Sequence, residues 1–445
     1  MRPVGPPPFI PENTYTFEQI LRELIEKRRL NEFLEIEESS YPYWEKWKYL
    51  AKDWDIDAKK LWSAVKINRR FGKEMLFTAE KDFVFNYRTP TLIQRYLHEF
   101  DLNLGGSLQG QGVIPSEDKD RYLISALMEE AIASSQIEGA STTHRIAKEM
   151  LEQGRKPRNT SEQMITNNYD VMSWIVKNKG LPFTSEAILK IHALLTKNTM
   201  PQPEQEGAYR TSNDINIIDV QTGRIIYTPP GHELLSDLIY DFCNYANDEP
   251  KEGAFIHPIL KAIFLHFLIG YIHPFNDGNG RTARTIFYWY LIKKGYWLIE
   301  YMSISRIILT SKAQYARAYQ CTELDQNDLT YFFIYNLKSI SKALEDLKKY
   351  IQRKISEKKD MIAFLRHTSF NDRQIILLQE ILQNNTLQYT VRQLQNRFGI
   401  SNQTARTDLY ELVKEGLLDH RRSGKQDIFF AIADIVKLIE KLKVK

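Results

Sequence analysis

Residues 263–294 read IFLHFLIGYIHPFNDGNGRTARTIFYWYLIKK, and the fold is decided here. Ile263 to Ile272 is almost wholly apolar around a helical wheel, so it forms a helix that must be surrounded by protein. Pro274, Gly278 and Gly280 then force a loop, and helical character resumes from Thr282. A helix, a glycine-bearing loop and a helix N-terminus in succession leave backbone N–H groups and the positive end of a dipole facing one place, a ready-made anion site. Arg281 and Arg284, three residues apart, are expected on one face of the first helical turn, where both can fork onto phosphate oxygens. Asp277 adds a hard carboxylate oxygen of the kind Mg²⁺ takes when phosphate and water hold it otherwise. His273, at the loop entrance, is placed to accept a proton near neutral pH.

Taken singly, these residues mean little. A lone histidine at a helix end is ordinarily structural, and a lone Gly-x-Gly is ordinarily a turn. Within twelve positions, however, the polar groups have no obvious way of being satisfied without a ligand. His266, on the apolar helix, is read as a hydrogen-bonded core residue.

The chain has 445 residues, which at about 150 per domain suggests about three domains. With 43% hydrophobic, 12% aromatic and 26% charged residues it is not a disordered, collagen-like or coiled-coil chain. Sixty Lys and Arg against 56 Asp and Glu give +4, so any polyanion site must be local. Two cysteines, Cys243 and Cys321, are too few for a disulfide framework and are expected to be buried in a reducing compartment. The N-terminal MRPVGPPPFIPENTY lacks the apolar segment of a signal peptide. The apolar run Ala262 to Ile272 is far shorter than the ~20 residues of a membrane span. A cytoplasmic protein with no membrane partner is the expectation.

The pattern is mainly α. Residues 1–115 contain a Pro-rich start and helices such as 17–30 and 58–70, with Trp44, Trp47, Trp54 and Trp62 read as packing. Residues 116–360 form a helical domain, and within it INIIDV and RIIYT at 215–228, joined through Gln221, Thr222 and Gly223, read as a β-hairpin. A helix from Leu329 to about Lys358 leads to a separate unit at 370–445.

HPFNDGNGR matches at every defined position the signature His-Pro-Phe-x-Asp/Glu-Gly-Asn-Gly-Arg and so resembles the Fic family, as do Gly207-Ala-Tyr-Arg210 and YTPP at 227–230. The resemblance covers about half the chain, 117–350. It implies a helical core that transfers AMP from ATP, with Mg²⁺, to a Ser, Thr or Tyr hydroxyl of a target protein or of the chain itself. His273 would then be the general base. Asp277 would hold the metal, and Asp277, Gly278, Asn279, Gly280, Arg281, Thr282, Ala283 and Arg284 would bind ATP. The hairpin would be a flap that clamps the target through Ile215, Asn216, Ile217 and Ile218. Tyr315 fits the first position of a base-packing Tyr-Tyr pair, whose second position is here Ala316.

Upstream, DKDRYLISALMEEAIASSQIEGA at 118–140 reads as an amphipathic helix with Ile124, Leu127, Met128 and Ala131 on its apolar stripe. At ~100° per residue Glu138 falls within about 20° of Leu127 and Ala131, where a carboxylate needs a cation such as Arg284. The pattern alone equally allows an acid reaching solvent at the helix end. Ser134-Ser-Gln-Ile-Glu138-Gly139 resembles the inhibitory motif Ser/Thr-x-x-x-Glu-Gly/Asn of Fic proteins with an N-terminal inhibitory helix, here 118–138. The resemblance implies that Glu138 pairs with Arg284 and obstructs the γ-phosphate, and it leaves open AMP removal at the same site or another donor.

At the C-terminus a helix is expected at 371–384. Thr390 and Ser401 fit N-caps, Phe398-Gly399-Ile400 a tight turn, and Gly416 a helix end. This helix-turn-helix with a β-wing resembles the DeoR-type winged helix. Asn402, Gln403, Thr404 and Arg406 are of types that contact DNA, and Arg421, Arg422 and Lys425 on the wing could hold its backbone. Asp408, Glu411, Glu415 and Asp419 offset those charges, so protein docking or homo-oligomer formation stays open. The rival reading is a DNA-binding regulator with a nucleotide-sensing core.

Overall fold

The computed structural model describes residues 4–11, 16–70, 74–78, 84–105, 119–218, 223–247, 255–365, 368–383, 387–423 and 426–432. It is mainly α. In chain order the elements are α1 (Phe17–Glu26), α2 (Leu30–Ser39), α3 (Trp44–Asp53), α4 (Ala58–Arg70), β1 (Glu74–Thr78), β2 (Val84–Tyr87), α5 (Thr91–Leu104), α6 (Lys119–Ile137), α7 (His144–Gln153), α8 (Thr160–Lys177) and α9 (Ser185–Thr196). They continue with β3 (Ile217–Ile218), β4 (Ile225–Tyr227), α10 (Leu235–Asn247), α11 (Pro258–Ile272), α12 (Asn279–Lys293), α13 (Ile304–Thr310), α14 (Lys312–Leu324) and α15 (Thr330–Leu365). The last are α16 (Asp372–Gln383), β5 (Gln388–Thr390), α17 (Val391–Phe398), α18 (Asn402–Lys414), β6 (Leu418–Ser423) and β7 (Gln426–Ala431). The chain divides near residue 345, within α15, into two compact units.

In the larger unit α11 is the centre. Its residues from Ile259 to Ile269 are all buried, which a sequence apolar around the whole wheel requires. α12 is buried almost as completely, from Arg281 to Ile292. The N-terminal helices carry their own cluster, in which Trp47, Trp54 and Trp62 are 0%, 4% and 1% exposed, with Trp44 packed against it. The helix expected at 17–30 is two helices: the chain leaves α1 at Lys27, and Arg28 takes a left-handed φ of 56° that no continuous helix accommodates. Arg69 of α4 is fully buried and forks onto Glu37 of α2, with Nε–Oε2 at 2.9 Å and Nη2–Oε1 at 2.7 Å. Its Nη1 donates to Tyr331 of α15, so one guanidinium ties three helices together.

α6 differs from the expected amphipathic helix. Leu127, Met128 and Ala131 are buried, but Ile124 is 45% exposed, because it lies about 60° off Leu127 at the edge of the stripe. The C-terminal half sinks into the protein on all sides, since Ala131, Ala133, Ser134 and Ser135 are small enough for neighbours to close around them. Glu130 is buried there too, its carboxylate accepting from Tyr288 Oη at 2.8 Å, Ser303 Oγ at 3.0 Å, Ser305 N–H at 3.0 Å and Ser305 Oγ. Residue 118, the expected start, lies outside the described residues.

β3 and β4 pair antiparallel as the expected hairpin, with Ile217 opposite Tyr227. Gln221 and Thr222 of its turn lie outside the described residues. Both cysteines are buried thiols. No helix among the described residues is long and apolar enough to cross a membrane.

The smaller unit has one core, built around Leu377, Leu378, Leu394, Leu409, Leu412 and Phe429. Thr390 caps α17 in a capping box with Gln393, Gly399 turns the chain at φ 62°, and Ser401 caps α18. Gly416 follows at φ 73°, and the strands form an antiparallel sheet in the order β5-β7-β6. This is a winged helix-turn-helix.

Candidate active site

The loop between α11 and α12 begins at His273, which ends α11 in the left-handed region at φ 49° and ψ 59°. It closes at Gly278, the N-cap of α12, with φ 82°. Asn279 folds its side chain back over the loop: Oδ1 accepts from Phe275 N–H at 3.0 Å and Nδ2 donates to Phe275 O at 2.7 Å. Asn279, expected to bind ATP, thus commits its side chain to holding the loop, and what it offers an anion is backbone.

His273 Nδ1 lies 3.3 Å from the carbonyl oxygen of Gly270. A carbonyl only accepts, so Nδ1 carries the proton and Nε2 keeps its lone pair. Burial lowers the pKa of this imidazole, and Arg210 adds to the effect beyond what Gly270, Glu138 and Asp277 restore. The ring is therefore neutral at pH 7 and can accept a proton at Nε2.

The two arginines divide rather than converge. Arg281 donates from Nη1 to Leu195 O of α9 at 3.1 Å and from Nη2 to Asp277 Oδ2 at 3.1 Å. Arg284 turns to α6, with Nε on Ser134 Oγ at 2.9 Å and Nη2 on Ser134 O at 3.0 Å and on Glu138 Oε1 at 2.8 Å. The three-residue spacing placed them on one face, but each reaches a different wall. Arg284 Nη1 is buried with no hydrogen-bond partner. A Cβ on Gly280 would stand 3.2 Å from that nitrogen and 2.2 Å from Glu138 Oε1. Glycine at 280 therefore keeps open the space in which Glu138 and the unpartnered nitrogen meet. Thr282 and Ala283 are buried, and Thr282 N–H is bonded to Gly278 O.

Asp277 has a 59% exposed side chain. Among the described residues no group of three or more His, Cys, Asp or Glu could hold a metal by itself. One exposed carboxylate beside an anion cradle fits Mg²⁺ that arrives with phosphate.

Tyr315 donates or accepts at Oη with His266 Nε2, 2.8 Å away, and packs among Tyr319, Phe332 and Tyr335. Burial pushes the His266 pKa down to about 3, so this is a neutral core histidine. Lys312, at the start of α14, donates to Gln136 O at 3.0 Å and Ile137 O at 3.1 Å, capping the end of α6 next to Glu138 and Gly139. In the hairpin, Ile218 is 50% exposed, Ile215 and Asn216 lead into β3, and Asn216 Oδ1 accepts from Thr228 Oγ1 at 2.8 Å.

Three residues of the site were not read from the sequence. Arg210 is buried and clasps the loop: its backbone N–H donates to Pro274 O and its Nε to His273 O, both at 2.9 Å. Nη1 reaches Ser212 O at 2.9 Å, and Nη2 reaches Pro230 O, so the same side chain holds both feet of the hairpin. His192, on α9, stacks on Phe275 and bonds Asp277 O. Lys312 is the third. Only Arg210 had a sequence signal, through Gly207-Ala-Tyr-Arg210.

In the smaller unit, Asn402, Gln403 and Arg406 are exposed at the start of α18, while Thr404 is partly buried and bonded to its cap, Ser401. Arg406 Nη2 is 3.7 Å from Asp427 Oδ2. The acids expected to offset this face do so only in part. Asp408 is 3% exposed and held by Arg373 Nε at 2.7 Å and Asn371 Nδ2 at 2.7 Å, and Glu411 accepts from Gln374 at 2.7 Å. Arg421 and Arg422 are exposed on β6, and Lys425 lies outside the described residues.

Residues 182–291 match the Fic/DOC family, and residues 373–426 match the DeoR-like helix-turn-helix domain. The chain is 34% identical over 119 residues to the protein adenylyltransferase Fic of Aedes aegypti, covering 27% of this chain and 21% of that protein. It is 32% identical over 109 residues to the protein adenylyltransferase fic-1 of Caenorhabditis elegans, covering 24% and 19%. The chain thus spans about a fifth of the length of these relatives. A Fic family protein from Desulfovibrio desulfuricans G20 superposes with a TM-score of 0.47 at 18% identity, covering 77% of this chain and 95% of that one.

Proposed function

We propose that this chain, which carries a Fic domain and a C-terminal DeoR-like helix-turn-helix domain, transfers AMP from ATP to a Ser, Thr or Tyr hydroxyl of a protein and is restrained by Glu138. The observation that carries this reading is the 2.8 Å Glu138–Arg284 pair beside the unpartnered Nη1 of the same arginine. A phosphate fits the arginine, and the glutamate holds its place.

In the transfer, His273 Nε2 takes the hydroxyl proton, the oxygen bonds the α-phosphorus, and the bond to the bridging oxygen breaks to release pyrophosphate. The amides at the start of α12 and Arg281 stabilise the charge that gathers on the phosphates, and Arg284 does so once Glu138 has left it. Mg²⁺ held by Asp277 and the phosphates would neutralise the departing pyrophosphate. The hairpin would align the target segment by strand pairing beside His273.

The test incubates wild type, Glu138→Gly and Glu138→Gly/His273→Ala with α-labelled ATP, Mg²⁺ and a host lysate. Strong labelling of protein by Glu138→Gly alone supports the base, the restraint and the transfer together. No labelling by any of the three, with ATP still bound, removes the transferase reading and favours AMP removal, another donor or nucleotide sensing.

For the smaller unit, duplex DNA is favoured as the partner of α18 and the wing, since one of the four opposing acids, Asp408, is turned inward onto Arg373. Salt-dependent duplex binding by the full chain tests this, and its absence at low salt would leave protein docking.

A further inference from the structure

We propose that His192 is the positioning residue of the anion cradle: it holds the Asp277–Gly278 peptide with its carbonyl turned to α9, so that the loop presents N–H groups to phosphate. The inference rests on the phosphate-binding reading above and adds a residue to it.

His192 is 0% exposed, and its ring lies parallel to that of Phe275, with centroids 3.7 Å apart and planes 3° apart. Nε2 is 2.8 Å from Asp277 O, and Nδ1 accepts from Gly207 N–H at 3.0 Å. Because a carbonyl only accepts and an amide only donates here, the ring must be the neutral tautomer protonated at Nε2. Both nitrogens are committed, and the stack fixes the plane in which they point. Burial pushes the pKa down to about 4, consistent with that neutral form.

The peptide between Asp277 and Gly278 is planar and trans, so a carbonyl aimed at His192 sends the Gly278 N–H to the opposite side of the loop. Gly278, at φ 82° and ψ 1°, has the geometry of the third residue in a type II turn. Half a rotation of the preceding peptide gives a type I turn, which glycine also accepts, and then the carbonyl would face the phosphates. Glycine therefore does not choose between the two orientations, whereas the His192 N–H bonds only one. Gly278 itself and Gly207 fit this arrangement into its space. A Cβ on Gly278 would stand 3.2 Å from His192 Nε2, and one on Gly207 would stand 2.7 Å from Ala193 Cβ.

The experiment uses the full chain as Glu138→Gly/His273→Ala, which has neither restraint nor turnover, and measures ATP with Mg²⁺ and adenosine by calorimetry. His192→Phe keeps the stack and removes both hydrogen bonds. Loss of the bond to Asp277 O, the one that orients the cradle, is expected to weaken ATP by about tenfold and leave adenosine within about twofold. His192→Gln, which can still offer an N–H to Asp277 O, is expected to recover most of the loss. Equal weakening of ATP and adenosine, or no change in ATP, overturns the proposal. If the Phe variant does not fold, His192→Met, which lacks a donor, is compared with Gln to the same criterion. Failure of the transfer reading is registered separately, as absence of label transfer by Glu138→Gly with His192 intact.

Discussion

Replacing Glu138 by glycine should make ATP bind more tightly, and the size of the gain follows from the surroundings of Arg284. The guanidinium is 3% exposed, while the Glu138 side chain is 28% exposed. Stripping a partner from a fully buried ion pair costs ~3–5 kcal/mol, and an exposed pair contributes ~0–1 kcal/mol. This pair lies between the limits, and Arg284 retains two bonds to Ser134, so about 1–2 kcal/mol is the expected contribution of Glu138. A γ-phosphate that takes the place of the carboxylate must first displace it. Wild type should therefore bind ATP more weakly than Glu138→Gly by a factor of about 5–30. Calorimetry on both chains, each carrying His273→Ala to prevent turnover, measures that ratio. ADP is the internal control, because without a γ-phosphate it has nothing to place on Arg284 and should bind the two chains alike. Equal ATP affinities, or an equal gain for ADP, would refute the argument that Glu138 occupies the γ-phosphate position. Without nucleotide the Glu138→Gly chain should be less stable by the same ~1–2 kcal/mol in denaturant unfolding.

Other outcomes follow from the same geometry. His273→Ala in the Glu138→Gly chain should lower label transfer by ~10²–10⁴ while ATP affinity stays within a few fold, measured on the same preparation. Since burial lowers the His273 pKa from its ordinary 6.5, the neutral base persists through pH 7, and kcat/KM should fall only as pH drops below 6.5. An acid limb centred above pH 6.5 would contradict that assignment. Gly280→Ala puts a methyl 2.2 Å from Glu138 Oε1, so it should destabilise the chain by ~1–3 kcal/mol, and by at least ~0.5 kcal/mol less when Glu138 is already glycine. If the winged helix binds duplex DNA, Arg421→Ala and Arg422→Ala should each reduce the slope of log affinity against log salt by about 0.9 for every phosphate that the missing guanidinium had neutralised.

Much of the site was legible because its parts are local in sequence. An apolar run on every face of a wheel can only be a buried helix, and Gly278 turns the chain into the next one, although α12 begins at Asn279, so Gly280, expected in the loop, is already helical. The Glu138–Arg284 pair was legible only through the resemblance of Ser134–Gly139 to the inhibitory motif, since the helix pattern alone equally allowed an acid reaching solvent just past α6. Residue types that act through space left less trace. His192 is one of two polar residues, with Lys190, in the otherwise apolar segment AILKIHALL, and nothing within that helix says that Phe275 and Asp277 O lie against it. Arg281 and Arg284 share a helix face by spacing, but long side chains turn toward whichever carbonyl or carboxylate is nearest, and here those lie on α9 and α6. Ile124 shows the same limit, since periodicity gives the direction of a stripe and not how far the neighbours extend along it.

The buried carboxylate of Glu130 bears on how the restraint on Arg284 could ever be lifted. Four donors from Tyr288, Ser303 and Ser305 surround it, so sliding α6 out of the protein would strand a desolvated anion and its donors together. The helix is riveted two turns before its end. Ser134 and Ser135 are buried as well, with Ser135 Oγ donating to Met164 O at 3.2 Å, so what is left to yield is the end from Gln136 to Gly139, with the Lys312 cap as its outer latch. On the proposed reading, release would then involve only those few residues, and whatever stimulates the chain would have to grip only that short tip.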